Sequence, residues 1–114
     1  MIQIYHNPRC GKSRNCVAYI SDKKLDASII KYLETPPTVQ EIKALLLKLN
    51  FKPIQLVRVK ESIWIENYKN KSLTDEAIIQ AMVTNPILIE RPIVIKGDKA
   101  IIGRIPEEVA QFIK

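Results

Sequence analysis

The sequence predicts an α/β fold, and three features of the 114-residue chain support this prediction. The first part has a strand–helix–strand pattern, the middle has amphipathic helical patterns, and the last part has a hairpin pattern followed by a helix. Strands that alternate with helices in this way are typical of α/β domains. With 46% hydrophobic residues, the chain has enough apolar side chains for one domain with a buried core.

The N-terminal part predicts a strand, a helix and a second strand. Residues 2–5 are β-prone and are followed by Asn7-Pro8, a dipeptide typical of turns. From Ser13 to Lys24 the spacing of apolar residues predicts a helix with an inward face made of Cys16, Val17, Tyr19 and Ile20. Ser28 to Leu33 is again β-prone and predicts the second strand.

The middle of the chain predicts two further helices. Thr38, followed three residues later by Glu41, forms a capping-box pattern. The helix that follows ends near Asn50 and has an apolar stripe made of Ile42, Leu45, Leu46 and Leu49. Residues 73–76 open the next helix, which ends before Asn85-Pro86 and has an apolar face made of Ile78, Ile79, Met82 and Val83.

The C-terminal part predicts a hairpin and a last helix. β-prone segments at 92–96 and 100–103 flank Gly97-Asp98, which is a tight-turn signal. Pro106 and the two acidic residues after it start a helix, with Val109 and Phe112 inward. The order βαβ, helices, ββα is that of a thioredoxin-like fold with a helical insertion at about residues 38–85. We expect one domain over residues 1–114.

Composition excludes several classes of protein. No stretch approaches the ~18 apolar residues of a membrane span, and the N-terminus lacks a signal peptide, so we expect a cytoplasmic protein with no membrane partner. Two cysteines cannot make a disulfide framework. The net charge of +6 permits nucleic acid, a membrane surface or a small anion as partner. Because no basic run is interleaved with aromatic residues, we expect no nucleic-acid partner.

The chemically richest segment lies between the first strand and the first helix, at residues 6–14. A P-loop ending in Gly-Lys-Ser would need glycine where His6 stands. A Cys-x5-Arg phosphatase loop would need arginine at position 16, and a Cys-x-x-Cys motif would need cysteine where Ser13 stands. What remains is Cys10-x-x-Ser13, the monothiol form of a redox loop.

Cys10 is the candidate nucleophile of this segment. The N–H groups and dipole of a helix N-terminus favour a thiolate, and Arg9, Lys12 and Arg14 add positive charge. The same environment would hold an oxyanion. His6 is close enough in sequence to tune the thiol or carry a proton. The alternative is a buried, inert cysteine beside a histidine at a strand end.

Cys16 is predicted to be a core residue. It falls on the apolar stripe of the first helix, and a bond to Cys10 would require the start of that helix to unwind. An external thiol must then supply the electrons. We expect no metal site, because His6, Cys10 and Cys16 would provide only three ligands.

Three segments resemble signatures of the glutathione/glutaredoxin-linked arsenate reductases, in their short bacterial form. Tyr5-His6-Asn7-Pro8-x-Cys10-x-x-Ser13-Arg14 resembles the catalytic loop of that family. Residues 32–38 resemble its second signature, and residues 85–94 are similar to its third. The resemblance covers nearly the whole chain and implies a thioredoxin-like fold with a helical insertion.

The resemblance also implies roles for individual residues. Cys10 would be the nucleophile, and His6 and Ser13 would help it to ionise. The residues implied to hold an arsenic oxyanion are Arg58, Arg91 and Arg104, and those implied to support the site are Gly11, Arg14 and Pro92. Arginine suits a tetrahedral oxyanion because its guanidinium is a planar fork of donors that stays charged. Without the resemblance, Arg58 would be interpreted as a solvated charge.

The activity that the resemblance implies is reduction of arsenate to arsenite through a Cys10 thiolate adduct. Glutathione would be the co-substrate and glutaredoxin the protein partner, with no bound cofactor. The alternative is a thiol-redox regulator of the same fold, which acts through RNA polymerase or other protein partners. Such regulators usually carry Cys-x-x-Cys at this loop, a pattern that Ser13 breaks.

Overall fold

The computed structural model describes residues 2–114, which form two compact units. The first unit comprises the chain up to Thr35 together with Arg91–Lys114, and the second comprises Pro36–Glu90. The predicted α/β class is confirmed, and the predicted helical insertion corresponds to the second unit. The expected single domain stays a prediction.

A β-sheet forms the centre of the first unit. Within residues 2–114 it has four strands, β1 (Ile2–His6), β2 (Ala27–Lys31), β3 (Ile93–Lys96) and β4 (Lys99–Ile102). Their order is β2-β1-β3-β4, with β1 parallel to β2 and antiparallel to β3. β3 and β4 form the predicted antiparallel hairpin, which turns at Gly97 with a φ of 64°. This strand arrangement is the thioredoxin-like one predicted from the sequence.

Two helices of the first unit, α1 (Gly11–Asp22) and α5 (Pro106–Phe112), pack on one face of this sheet. Alternate residues of a strand point to the same face, so Ile2 and Ile4 meet the helices together. The buried cluster consists of Ile2, Ile4, Cys16, Ile20, Val94 and Val109. Tyr19 and Phe112, predicted to point inward, are partly buried against it.

The second unit is helical. Its helices are α2 (Val39–Leu49), α3 (Ser62–Asn67) and α4 (Asp75–Thr84), with short 3-10 turns at Pro53–Leu56 and Pro86–Leu88. The predicted capping box is present, because the Thr38 hydroxyl accepts the Glu41 N–H at 3.2 Å and the Glu41 carboxylate accepts the Thr38 N–H at 2.9 Å. None of the helices within residues 2–114 is long and apolar enough to cross a membrane.

Several observed boundaries differ from the predicted ones by one or two residues, and two of these differences have a clear local cause. α1 begins at Gly11, two residues before the predicted start, because Cys10 already has the extended backbone of an N-cap residue. β2 ends at Lys31 and not at Leu33, since the Lys31 carbonyl accepts the N–H groups of Glu34 and Thr35, both at 3.0 Å. The helix α3 was not predicted at all.

Candidate active site

The candidate site is built at the connection between β1 and α1, which we call the cysteine loop, residues 7–10. The Asn7 carbonyl accepts the Cys10 N–H at 3.0 Å, which closes a turn over Pro8 and Arg9. Cys10 is the N-cap of α1, and its carbonyl accepts the Arg14 N–H at 3.0 Å. Its side chain therefore lies where the free N–H groups of a helix begin.

A buried polar pair lies behind the cysteine loop. His6 Nδ1 and Ser13 Oγ are 2.7 Å apart, and Ser13 Oγ also accepts the Asn7 N–H at 3.0 Å. Burial, and then the positive charges of Lys31 and Arg14, lower the pKa of His6 below 6.5. In the neutral imidazole, the tautomer of His6 decides whether Nδ1 accepts the Ser13 hydroxyl proton or donates to Ser13 Oγ.

The pKa of the Cys10 thiol lies below its ordinary value of 9.0. Burial alone would raise this pKa. The backbone N–H of Ser13, the hydrogen bond and charge of the Arg91 guanidinium, and the N–H of Lys12 together outweigh burial. The Cys10 side chain makes no hydrogen bond of capping geometry to the helix, although the N–H groups of Ser13 and Lys12 lower its pKa. These N–H groups stabilise the thiolate more than the thiol, because a charged sulfur is the stronger acceptor.

Arg91 reaches Cys10 from the start of β3. It is 8% exposed, and a cis peptide bond joins it to Pro92. The Pro92 carbonyl accepts the Gly103 N–H at 2.8 Å, so the residue beyond β4 holds the strand start in place. The Arg91 guanidinium therefore lies within hydrogen-bond distance of Cys10, and the oxyanion-binding role of Arg91 and the supporting role of Pro92 stay predictions.

Two of the three supporting residues, Gly11 and Arg14, lie on the first turn of α1. Arg14 donates from Nη1 to the Pro8 carbonyl at 2.9 Å, which ties the helix to the cysteine loop. Gly11 is the first residue of α1, and a Cβ there would meet only Arg14 Nη2 at 3.7 Å. The space at Gly11 would therefore admit a Cβ, and the supporting role of both residues stays a prediction.

Arg104 lines a cavity of about 60 Å³ between α1 and the start of α5. The same cavity is lined by Lys12 and Asn15 on α1 and by the buried Cys16. Arg104 thus lies in the same unit as Cys10, beside the helix that Cys10 caps. Its role in holding an oxyanion stays a prediction.

Arg58 lies in the second unit. Its backbone N–H donates to the Leu88 carbonyl at 2.7 Å, and its Nη1 forms an ion pair with Glu90 at 3.7 Å. Its Nε is buried without a hydrogen-bond partner among the described residues. The backbone of Arg58 is therefore held by a hydrogen bond, while the Nε–H of its side chain has no acceptor among the described residues. The predicted role of Arg58 in oxyanion binding stays a prediction.

Cys16 lies in the core, as its helical spacing predicted. It is 5% exposed, and burial raises its pKa to about 11. The two cysteines are both free thiols. Across residues 2–114, no group of three or more His, Cys, Asp or Glu side chains could hold a metal ion.

Two residues of this site were not among the predicted functional residues. Asn7 is 1% exposed and organises the cysteine loop, and the Asn7-Pro8 turn dipeptide was the sequence signal for it. Lys31 pairs in register with His6 across parallel strands and lowers its pKa. No local pattern could identify Lys31, because the register between β1 and β2 depends on the whole fold.

Comparisons with known proteins identify the family and the relatives of this chain. The model of the ArsC family matches residues 5–112. The chain is 43% identical over 114 residues to the uncharacterized protein YfgD of Escherichia coli (strain K12), covering 98% of this chain and 96% of that one. It is 37% identical to an arsenate reductase of Neisseria meningitidis, covering 95% and 94%. The structure of an arsenate reductase from Vibrio cholerae matches with a TM-score of 0.90 and 41% identity, covering 96% and 95%.

Proposed function

Because this chain belongs to the ArsC family, we propose that it is a thiol oxidoreductase that reduces arsenate to arsenite through Cys10. The observation that carries the proposal is the position of Cys10 at the N-cap of α1, with the buried Arg91 guanidinium hydrogen-bonded to it. A thiolate held this way is a nucleophile near neutral pH, and the cation beside it attracts an oxyanion. We propose arsenate as the substrate because several relatives are named arsenate reductase.

In the first step, the Cys10 thiolate attacks the arsenic atom of arsenate. A sulfur–arsenic bond forms, and one arsenate oxygen leaves as water after taking up a proton. We assign oxyanion binding to Arg58, Arg91 and Arg104. The contact of Arg91 with Cys10 supports the assignment of Arg91, and the assignments of Arg58 and Arg104 rest on the family resemblance.

His6 and Ser13 help Cys10 to ionise by an indirect route. The Ser13 hydroxyl is engaged by His6 Nδ1 and the Asn7 N–H, while the Ser13 backbone N–H lowers the pKa of Cys10. His6 therefore fixes Ser13, and Ser13 presents its N–H to the thiolate. Since His6 is held neutral, it adds no charge to the pocket at neutral pH.

The remaining steps require thiols from outside the chain. The buried Cys16, with its pKa near 11, stays protonated and does not resolve the adduct. Glutathione displaces a second oxygen of the adduct as water and forms an arsenic–sulfur bond. A glutaredoxin thiolate then attacks the glutathione sulfur, which forms a mixed disulfide and leaves two electrons on arsenic. Water releases arsenite and regenerates the Cys10 thiol, and the cytoplasm supplies the glutathione.

The test is arsenate-dependent NADPH oxidation with glutathione, glutaredoxin and glutathione reductase present. The unmodified chain and Cys16→Ser should turn over, while Cys10→Ser should be inactive. The pair of variants is matched, because each removes one of the two thiols. Loss of activity in Cys16→Ser would contradict the single-thiol mechanism. Absence of turnover in the unmodified chain would overturn the proposal, and RNA polymerase capture would then support the regulator alternative.

A further inference from the structure

The Asn7 side chain has no part in the mechanism above, yet it is among the most buried polar groups near Cys10. Only 1% of Asn7 is exposed. Its Oδ1 accepts the Arg9 N–H at 3.0 Å, and its backbone carbonyl accepts the Cys10 N–H at 3.0 Å. A side chain that bonds the backbone two residues on, inside a turn, is an Asx-turn.

The geometry explains why this bond matters to Cys10. The cysteine loop has only four residues between β1 and α1, so its backbone path decides where the Cys10 side chain points. Pro8 has no N–H, which leaves the N–H groups of Arg9 and Cys10 as the donors that fold the turn. Both of them bind Asn7, one through its side chain and one through its carbonyl.

We propose that the Asn7 side chain is a positioning residue, which fixes the turn so that the Cys10 sulfur faces the N–H groups of α1 and the Arg91 guanidinium. The inference rests on the proposed function of Cys10 as nucleophile. Asn7 touches no reacting atom in this account. It acts through the Arg9 N–H, and its own backbone N–H separately holds Ser13.

The test compares Asn7→Ala, Asn7→Ser and Asn85→Ala, each in the Cys16→Ser background. Asn85 is a matched control, since it also precedes a proline and donates from Nδ2 to Tyr68 Oη at 3.1 Å, in the second unit. The readout is the rate of Cys10 alkylation by iodoacetamide as a function of pH, which needs no arsenate. A serine hydroxyl can replace the Asx-turn acceptor more weakly.

We expect Asn7→Ala to raise the Cys10 pKa by about one unit, so that alkylation at neutral pH slows about tenfold. Asn7→Ser should fall between Asn7→Ala and the parent, and Asn85→Ala should match the parent, even if all three melt at lower temperature. An unchanged Cys10 pKa in Asn7→Ala, or an equal change in Asn85→Ala, would overturn the proposal. Failure of both Asn7 variants to fold would also overturn it, because Asn7 would then be a structural residue only.

This design separates the inference from the proposed function. If the chain failed to reduce arsenate but Asn7→Ala still slowed alkylation, the positioning role would stand and the substrate assignment would fall. If arsenate reduction were observed but the Asn7 variants alkylated like the parent, the substrate assignment would stand and the positioning role would fall.

Discussion

Replacing Gly103 by alanine is expected to destabilise the protein, because there is no room for a Cβ at this position. A Cβ built there would lie 2.9 Å from Val94 Cγ2, 3.0 Å from Cys16 Sγ and 3.3 Å from Val109 Cγ2. All three neighbours are buried, at 0%, 5% and 1% exposure, so none can move into solvent. Overpacking of this kind costs about 1–3 kcal/mol.

The conformational entropy that alanine removes from the unfolded chain offsets about 0.4–1 kcal/mol of this cost. We therefore expect the free energy of unfolding to fall by about 1–2 kcal/mol. For a chain of 114 residues, 1 kcal/mol corresponds to about 4 °C in Tm. A Tm lowered by about 4–8 °C should be seen by circular dichroism.

Gly11→Ala is the matched control. A Cβ there would meet its nearest neighbour at 3.7 Å, an ordinary contact, and alanine favours the helix, so Tm should hold or rise. In a double-mutant cycle, Cys16→Ala should relieve part of the Gly103→Ala loss, because the two sites touch. A Gly103→Ala protein as stable as the parent would refute this account of the packing between α1, α5 and the sheet.

Three further predictions test the charges and caps. Arg91→Met should raise the Cys10 pKa by about 1–2 units, because a charge-assisted hydrogen bond of about 1.5–3 kcal/mol is lost. The rate of Cys10 alkylation as a function of pH measures this pKa, and an unchanged pH profile would contradict the contact between Arg91 and Cys10. Burial raises the pKa of Cys16 from 9.0 to about 11, so the folded protein holds the thiol proton more tightly than the unfolded chain does. The stability that this protonated thiol contributes is therefore fully present below pH 9.0 and should be lost as the pH rises to about 11. Urea denaturation should show this slope, and Cys16→Ala should flatten it. Thr38→Ala should lower the free energy of unfolding by about 1 kcal/mol, because it removes the hydroxyl that caps α2. Thermal melting followed by circular dichroism measures this loss, and the control Thr35→Ala should leave Tm unchanged.

The fold could be predicted largely from local patterns. The capping box at Thr38 fixed the start of α2 to the residue, and Gly97 marked the hairpin, because both signals act within a few residues. The helix α3 was missed since it has six residues and only Trp64 among them is buried, too little for a periodic pattern. The end of β2 was misplaced because a turn competes for the Lys31 carbonyl.

The candidate site was predictable in part. The position of Cys10 before a helix followed from the strand and helix patterns on either side of it. Without the resemblance, local patterns could not predict the contact between Arg91 and Cys10. The two residues are 81 positions apart in the sequence and come together only when β3 pairs with β1. The hydrogen bond between His6 and Ser13 could not be predicted either, because it depends on the path of the loop that connects β1 to α1.

The most direct test of the central claim is the pH dependence of Cys10 alkylation in Cys16→Ser, measured by mass spectrometry with and without arsenate. The account predicts an inflection below 9.0 and slower alkylation when arsenate occupies the site beside Arg91. An inflection at or above 9.0, or a rate that arsenate leaves unchanged, would contradict it.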